Sequence, residues 1–133
     1  MPEKAIIHTD GGARGNPGPA GIGAVIELSG ARHTCKRFIG HATNNQAEYE
    51  AVILALTEAK RLGATHADVY LDSELVQQQL SGNYKVKNQE LAGLFVKVWN
   101  LQQQFEKVKY LHIPREENKL ADKLVNQAID EAT

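Results

Sequence analysis

Residues 6–21 read IIHTDGGARGNPGPAG, setting a carboxylate at the end of an apolar run. The run before Asp10 has the short, branched composition of a buried strand, and the Gly- and Pro-rich residues after it carry turn chemistry. Asp10 is therefore predicted to stand where a strand empties into a loop. Working outward, AIIHT, IGAVIEL and TCKRFIG are short apolar or alternating runs separated by Gly-, Pro- and Ser-containing turns. That pattern predicts three consecutive strands joined by hairpin-like loops. From Asn45 the period changes. NQAEYEAVILALTEAKRLG places Ala47, Ala51, Leu54, Ala55 and Ala59 at helical spacing, with Asn44 or Asn45 expected as N-cap and Gly63 as the stop. ADVYLD then reads as a fourth strand, ELVQQQL as a short helix and ELAGLFVKVWNLQQQF as a longer amphipathic one. KVKYLHI follows as a fifth strand and LADKLVNQAIDEA as a last helix. The order is βββαβααβα, an α/β chain. Strands separated by helices run parallel through right-handed crossovers, so strands one, four and five are expected side by side in a mixed five-stranded sheet flanked by helices.

At 133 residues the chain is expected to form one domain over residues 1–133. Its 42% hydrophobic content is ordinary. No apolar run approaches the ~18 residues of a membrane helix, and MPEKAII carries no apolar signal region, so a cytoplasmic protein without membrane association is expected. A single cysteine, Cys35, excludes an internal disulfide and a thiolate zinc site, and is expected to be a small, at least half-buried residue. The net charge of −1 excludes attraction of a polyanion by the field of the whole protein. Such a partner would need a local cluster of cations, or metal ions.

AIIHTD and ADVYLD both end in aspartate. If the two strands are neighbours, Asp10 and Asp72 lie about 5 Å apart in backbone terms, the spacing of adjacent strands. Bare carboxylates that close repel, which leaves either a raised pKa on one of them or a cation between them. Glu48 is expected in the first turn of the long helix and Asp122 in the first turn of the last. Each could serve only to complement a helix dipole. Should all four converge, a set of hard oxygen donors with no His or Cys pair at ligand spacing suits Mg²⁺ or Mn²⁺ rather than zinc. Two such ions about 4 Å apart would clamp the attacking and leaving oxygens of a phosphodiester.

The segments TDGGARGNPGPAGIGAVI, ATNNQAEYEAVILAL, YLDSELV and HIPREENKLADKLVNQA together resemble ribonuclease H of type 1, in the family's order and over nearly the whole chain. The resemblance is to the short form that lacks a basic protrusion. It implies the ribonuclease H fold and endonucleolytic hydrolysis of the RNA strand of RNA–DNA hybrids with two divalent metal ions, leaving 3′-hydroxyl and 5′-phosphate ends. It further implies that Asp10, Glu48, Asp72 and Asp122 are the catalytic, metal-binding carboxylates. Contacts to ribose 2′-hydroxyls fall on Asn16, Asn44, Asn45 and Gln46, and Gly11 and Ser73 join the substrate-binding set. An amide suits this task because a 2′-hydroxyl both donates and accepts, and that group separates RNA from DNA. Turn chemistry at Asn16 and helix capping at Asn44 and Asn45 are the alternatives. The phosphate pocket for the DNA strand maps onto Thr43 and Asn88, with His41 where many relatives have arginine.

Two departures bear on the expected activity. Where many relatives carry a basic insertion, this chain has SGNYKVKNQELAGLFVKVW, which offers Lys85 and Lys87 but little else. Affinity is thus expected to be modest and sensitive to Mg²⁺ and salt. Trp99 within it is expected in the core. Where many relatives carry a mobile histidine, this chain has PREEN, and Arg115 is the nearest candidate for that role. A salt bridge from Arg115 to Glu116 or Glu117 is the alternative, and His112 is expected as a packed strand residue. Competing readings are a DNA-acting nuclease of the same superfamily, a module that binds hybrids or structured RNA with little or no cleavage, and a small-molecule phosphatase. The expected partner is an RNA–DNA hybrid, with double-stranded RNA as a second candidate, acted on by a monomer.

Overall fold

Alternation along the first run puts Ala5 and Ile7 on one face, both fully buried. They pack with Tyr49, Val52 and Leu56 of the long helix and with Val69 and Leu71 of the fourth strand. The second run is buried at every position from Ala20 to Ile26, because both of its faces are covered. Ala24 and Ile26 join the cluster around the long helix, whereas Val25 between them meets Ala121 and Leu124 of the last helix. In the computed structural model, which describes residues 3–133, these runs become β1 (Lys4–Ala13), β2 (Gly18–Leu28) and β3 (Ala31–Ala42). They are followed by α1 (Asn44–Arg61), β4 (His66–Leu71), α2 (Glu74–Leu80), α3 (Gln89–Gln102), β5 (Lys107–His112) and α4 (Lys119–Ala132). A single 3₁₀ turn, Arg115–Glu117, precedes α4.

The sheet order is β3-β2-β1-β4-β5, antiparallel from β3 to β1 and parallel from β1 to β5. The expected element order and the adjacency of strands one, four and five both hold. No helix among the described residues is long and apolar enough to cross a membrane.

Several local expectations are corrected. The strand carrying Asp10 does not end there: β1 runs on to Ala13 against β2, with Gly11 opposite Ile22 and Gly12 opposite Gly21. Its pairing with β4 stops earlier, at His8 opposite Tyr70. The sheet therefore has a step at this end, and Asp10 stands on it. The N-cap of α1 is Thr43, whose hydroxyl accepts from the Gln46 backbone while the Gln46 side chain accepts from the Thr43 backbone. This reciprocal box prevails over the asparagines, and it moves Glu48 into the second turn. Trp99 is 53% exposed, because α3 buries the face bearing Leu91 and Val98 and the next residue points ~100° away. His112 is exposed at the end of β5, with its Nε2 3.2 Å from the Asp72 carbonyl oxygen. Cys35 is half-buried and free. Residues 81–88 join α2 to α3 as a short loop in which Lys85 and Lys87 are exposed.

Candidate active site

Past its last pair with β4, β1 presents backbone groups that the ladder no longer satisfies. The Gly11 N–H donates instead to Asp10 Oδ1 (3.0 Å) and Glu48 Oε1 (3.1 Å). Glu48 can come so near because Gly11 has no side chain. A Cβ there would lie 2.2 Å from the Ala47 carbonyl oxygen, so α1 rests directly on the β1 backbone. The opposite face repeats the device. A Cβ on Gly23, the β2 partner of Asp10, would lie 2.7 Å from Leu124 Cβ and 2.8 Å from the Ala121 carbonyl oxygen. That approach brings the first turn of α4, with Asp122, down beside Asp10. Asp72 directly follows β4, and Ser73 behind it caps α2 by accepting from the Val76 N–H.

One carboxylate oxygen each of Asp10, Glu48 and Asp72 lies within 4.8 Å of the others. Asp122 lines the same cleft, of about 450 Å³, but stands outside this tight group. Burial raises the Asp10 carboxyl to about 7; a side-chain hydrogen bond with Glu48 pulls it down and the Asp72 and Asp122 carboxylates push it up. Glu48 is raised well above the usual range by burial and then by Asp10. Its Oε2 is buried without a hydrogen-bond partner. Two buried acids, an orphaned carboxylate oxygen and an all-oxygen donor set fit a hard divalent cation such as Mg²⁺ or Mn²⁺.

Asn44 and Asn45 edge the cleft. The Asn44 Oδ1 accepts from the Ala13 N–H (2.9 Å), and the Asn16 Oδ1 accepts from the Asn44 N–H (3.0 Å). Each oxygen is engaged by one backbone donor, so Asn16 and Asn44 keep their NH₂ groups free to donate. Gln46 is engaged on both sides, its oxygen in the capping box and its Nε2 on Glu90 Oε2 (3.1 Å). Thr43 and Asn88 cap α1 and α3, the latter by accepting from the Glu90 and Leu91 N–H groups. His41, Gln46 and Glu90 line a separate, shallower hollow.

A family model described as reverse transcriptase-like matches residues 8–128. The RNase H1 of the halophilic archaeon Halobacterium salinarum superposes with a TM-score of 0.92 at 38% identity, covering 96% of this chain and 98% of that one. The chain belongs to the ribonuclease H family. Another ribonuclease H structure, LC11-RNase H1 in complex with RNA/DNA hybrid, matches with a TM-score of 0.91 at 47% identity over 96% of this chain and 98% of that one. A bifunctional protein of Mycobacterium tuberculosis is 48% identical over 132 residues, which is 97% of this chain. The chain spans only 36% of the length of that mycobacterial relative.

In this ribonuclease H chain the loop before α4 carries Arg115, whose side chain is 82% exposed with Nη2 4.0 Å from Asp122 Oδ1. Its partner is thus the acid in the cleft rather than Glu116 or Glu117. Sequence reasoning missed Asn118, which is 2% exposed and donates from Nδ2 to both the Thr9 carbonyl oxygen (2.8 Å) and Asp72 Oδ2 (2.9 Å). An asparagine just before LADKLV signals a helix cap. It occupies that position, but its side chain makes no cap bond.

Proposed function

We propose that this chain is a metal-dependent endoribonuclease that cuts the RNA strand of RNA–DNA hybrids, leaving 3′-hydroxyl and 5′-phosphate ends. The observation that carries the reading is the convergence of Asp10, Glu48 and Asp72 within 4.8 Å beneath a cleft edged by asparagine amides. The hybrid-bound relative of similar sequence and fold supports it. Bound at the acids, a pair of Mg²⁺ or Mn²⁺ ions would supply the charge that activates water and steadies the leaving 3′-oxygen.

The residues divide the remaining work. Asp10, Glu48 and Asp72 hold the cations, and Asp122 completes the set from α4. Asn16 and Asn44 donate from their NH₂ groups to 2′-hydroxyl oxygens, a contact that duplex DNA cannot return. Asn45 at the cleft edge shares that reading, while Gln46 contributes through the capping box that fixes the turn. Gly11 admits α1, and Ser73 holds the start of α2 beside Asp72. Thr43 and Asn88, at two helix N-termini, receive the DNA-strand phosphate. Lys85 and Lys87 attract the backbone beyond the cleft, and Arg115 places a fixed positive charge beside the scissile phosphate. Residues 1–133 serve as one catalytic domain, monomeric and cytoplasmic.

The test is incubation with end-labelled RNA–DNA hybrid, duplex DNA and duplex RNA in Mg²⁺, Mn²⁺ or EDTA. Cleavage of the hybrid's RNA strand in either metal, none in EDTA and none of duplex DNA is expected. Equal cutting of duplex DNA would sink the reading. The duplex RNA arm decides whether that polymer is a second substrate.

A further inference from the structure

Where the β1–β4 ladder stops, one side chain takes its place. The Thr9 carbonyl oxygen points toward β4 with no strand residue to receive it, and Asn118 donates to it at 2.8 Å. The second hydrogen of the same NH₂ group goes to Asp72 Oδ2 at 2.9 Å. The Asn118 backbone oxygen meanwhile accepts from the Asp122 N–H at 3.1 Å, opening α4. One residue thus touches the strand bearing Asp10, the carboxylate of Asp72 and the turn bearing Asp122. Both side-chain partners are acceptors, so the nitrogen must face them, and the buried Oδ1 has no partner. Helix capping does not explain the choice of residue, because the side chain makes no cap bond.

We propose that Asn118 is a positioning residue that fixes the rotation of the Asp72 carboxylate, keeping Oδ2 engaged and leaving Oδ1 for the cation, an inference that rests on the metal-binding reading of the acids. Asp72 is half-buried and stands outside the sheet ladder, so this amide is what holds it in a ligating geometry. Partners that orient a ligand in this way commonly change metal affinity 10- to 100-fold when removed.

The test measures Mn²⁺ binding by the loss of the free ion's paramagnetic resonance signal, without substrate, beside steady-state kinetics on hybrid. Asn118→Ala is expected to weaken Mn²⁺ binding about tenfold and to lower kcat at low Mn²⁺, with kcat restored by excess Mn²⁺ and KM little changed. Asn118→Ser supplies a strong N-cap residue for α4 and so retains the helix, yet lacks the reach and the second donor, so it should show the same loss. In an Asp72→Asn background, Asn118→Ala should add less than twofold, because the carboxylate through which it acts is gone. Wild-type Mn²⁺ affinity in folded Asn118→Ser overturns the proposal, as does a full tenfold loss in the Asp72→Asn background. Absence of any Mn²⁺ binding by the wild-type protein overturns the metal reading along with it.

Discussion

Burial raises the Asp10 carboxyl to about 7, with Asp72 and Asp122 adding to the rise, whereas the same group in the unfolded chain titrates near 3.9. Between those values the folded, metal-free protein binds the proton that the unfolded chain releases, so this group's stabilisation is complete below about pH 4 and is lost as pH rises through about 7. In EDTA, the stability difference between Asp10→Asn and wild type should therefore grow across that window, reaching on the order of a few kcal/mol in the variant's favour at pH 8. Thermal unfolding at a series of pH values measures it, and added Mn²⁺ should stabilise the wild type and reverse the order. The same variant should cut no hybrid, and an unchanged rate would end the metal-centre reading. Arg115 permits a second test at this scale. An arginine there can act only as a fixed charge, so Arg115→Ala should lower kcat well beyond any change in KM, with Arg115→Lys recovering part of the loss. The acids were legible because two apolar runs, AIIHT and ADVYL, each lead directly into an aspartate and the four motifs keep their order. Asn118 was not, because its partners lie 109 and 46 positions away and only the fold brings them together.

The two helices that carry Glu48 and Asp122 are each seated by an absent side chain. At Gly11 a methyl group would meet the α1 backbone, which cannot yield as a flexible side chain can. Gly11→Ala should cost about 2 kcal/mol or more and remove cleavage, by lifting Glu48 from Asp10. Gly23→Ala should do likewise through α4 and Asp122. Gly93 is the counter-case. It lies inside α3, where an added methyl group would meet nothing within 4 Å, so Gly93→Ala should stabilise by roughly 0.5–1 kcal/mol with activity unchanged. Urea unfolding of the three variants measures the stability changes and hybrid cleavage assays the activities. At this scale the sequence announced helices and strands by their periods, but it misled over GG after Asp10. Paired glycines read as a turn, and here they lie in a strand that needs bare backbone at Gly11, where α1 rests on it. Thr43 does not stand out in the sequence as the N-cap of α1, because the adjacent asparagines carry the same preference, and only the reciprocal bonds with Gln46 decide between them.

Over the whole molecule the net charge of −1 supplies no general attraction to a polyanion, so grip on the hybrid falls to a few local cations. Lys85→Ala and Lys87→Ala should each raise KM severalfold with little effect on kcat. Each should also reduce the slope of log KM against log salt by about 0.7–0.9, the loss of one phosphate contact. Gel-shift titration in Ca²⁺ at several KCl concentrations checks the binding side of this expectation. The topology could be read in advance, since three hairpin-joined runs followed by helix-separated ones admit few arrangements. The extra length of β1 could not, because it depends on pairing with β2 alone. That overrun decides how a polymer arrives. Asp10 stands on a step at the margin of the sheet with the other acids gathered around it, so a strand can be laid across them sideways at any point along its length, with neither of its ends threaded through the protein. A covalently closed RNA circle annealed to DNA should accordingly be opened as fast as a linear RNA of the same sequence.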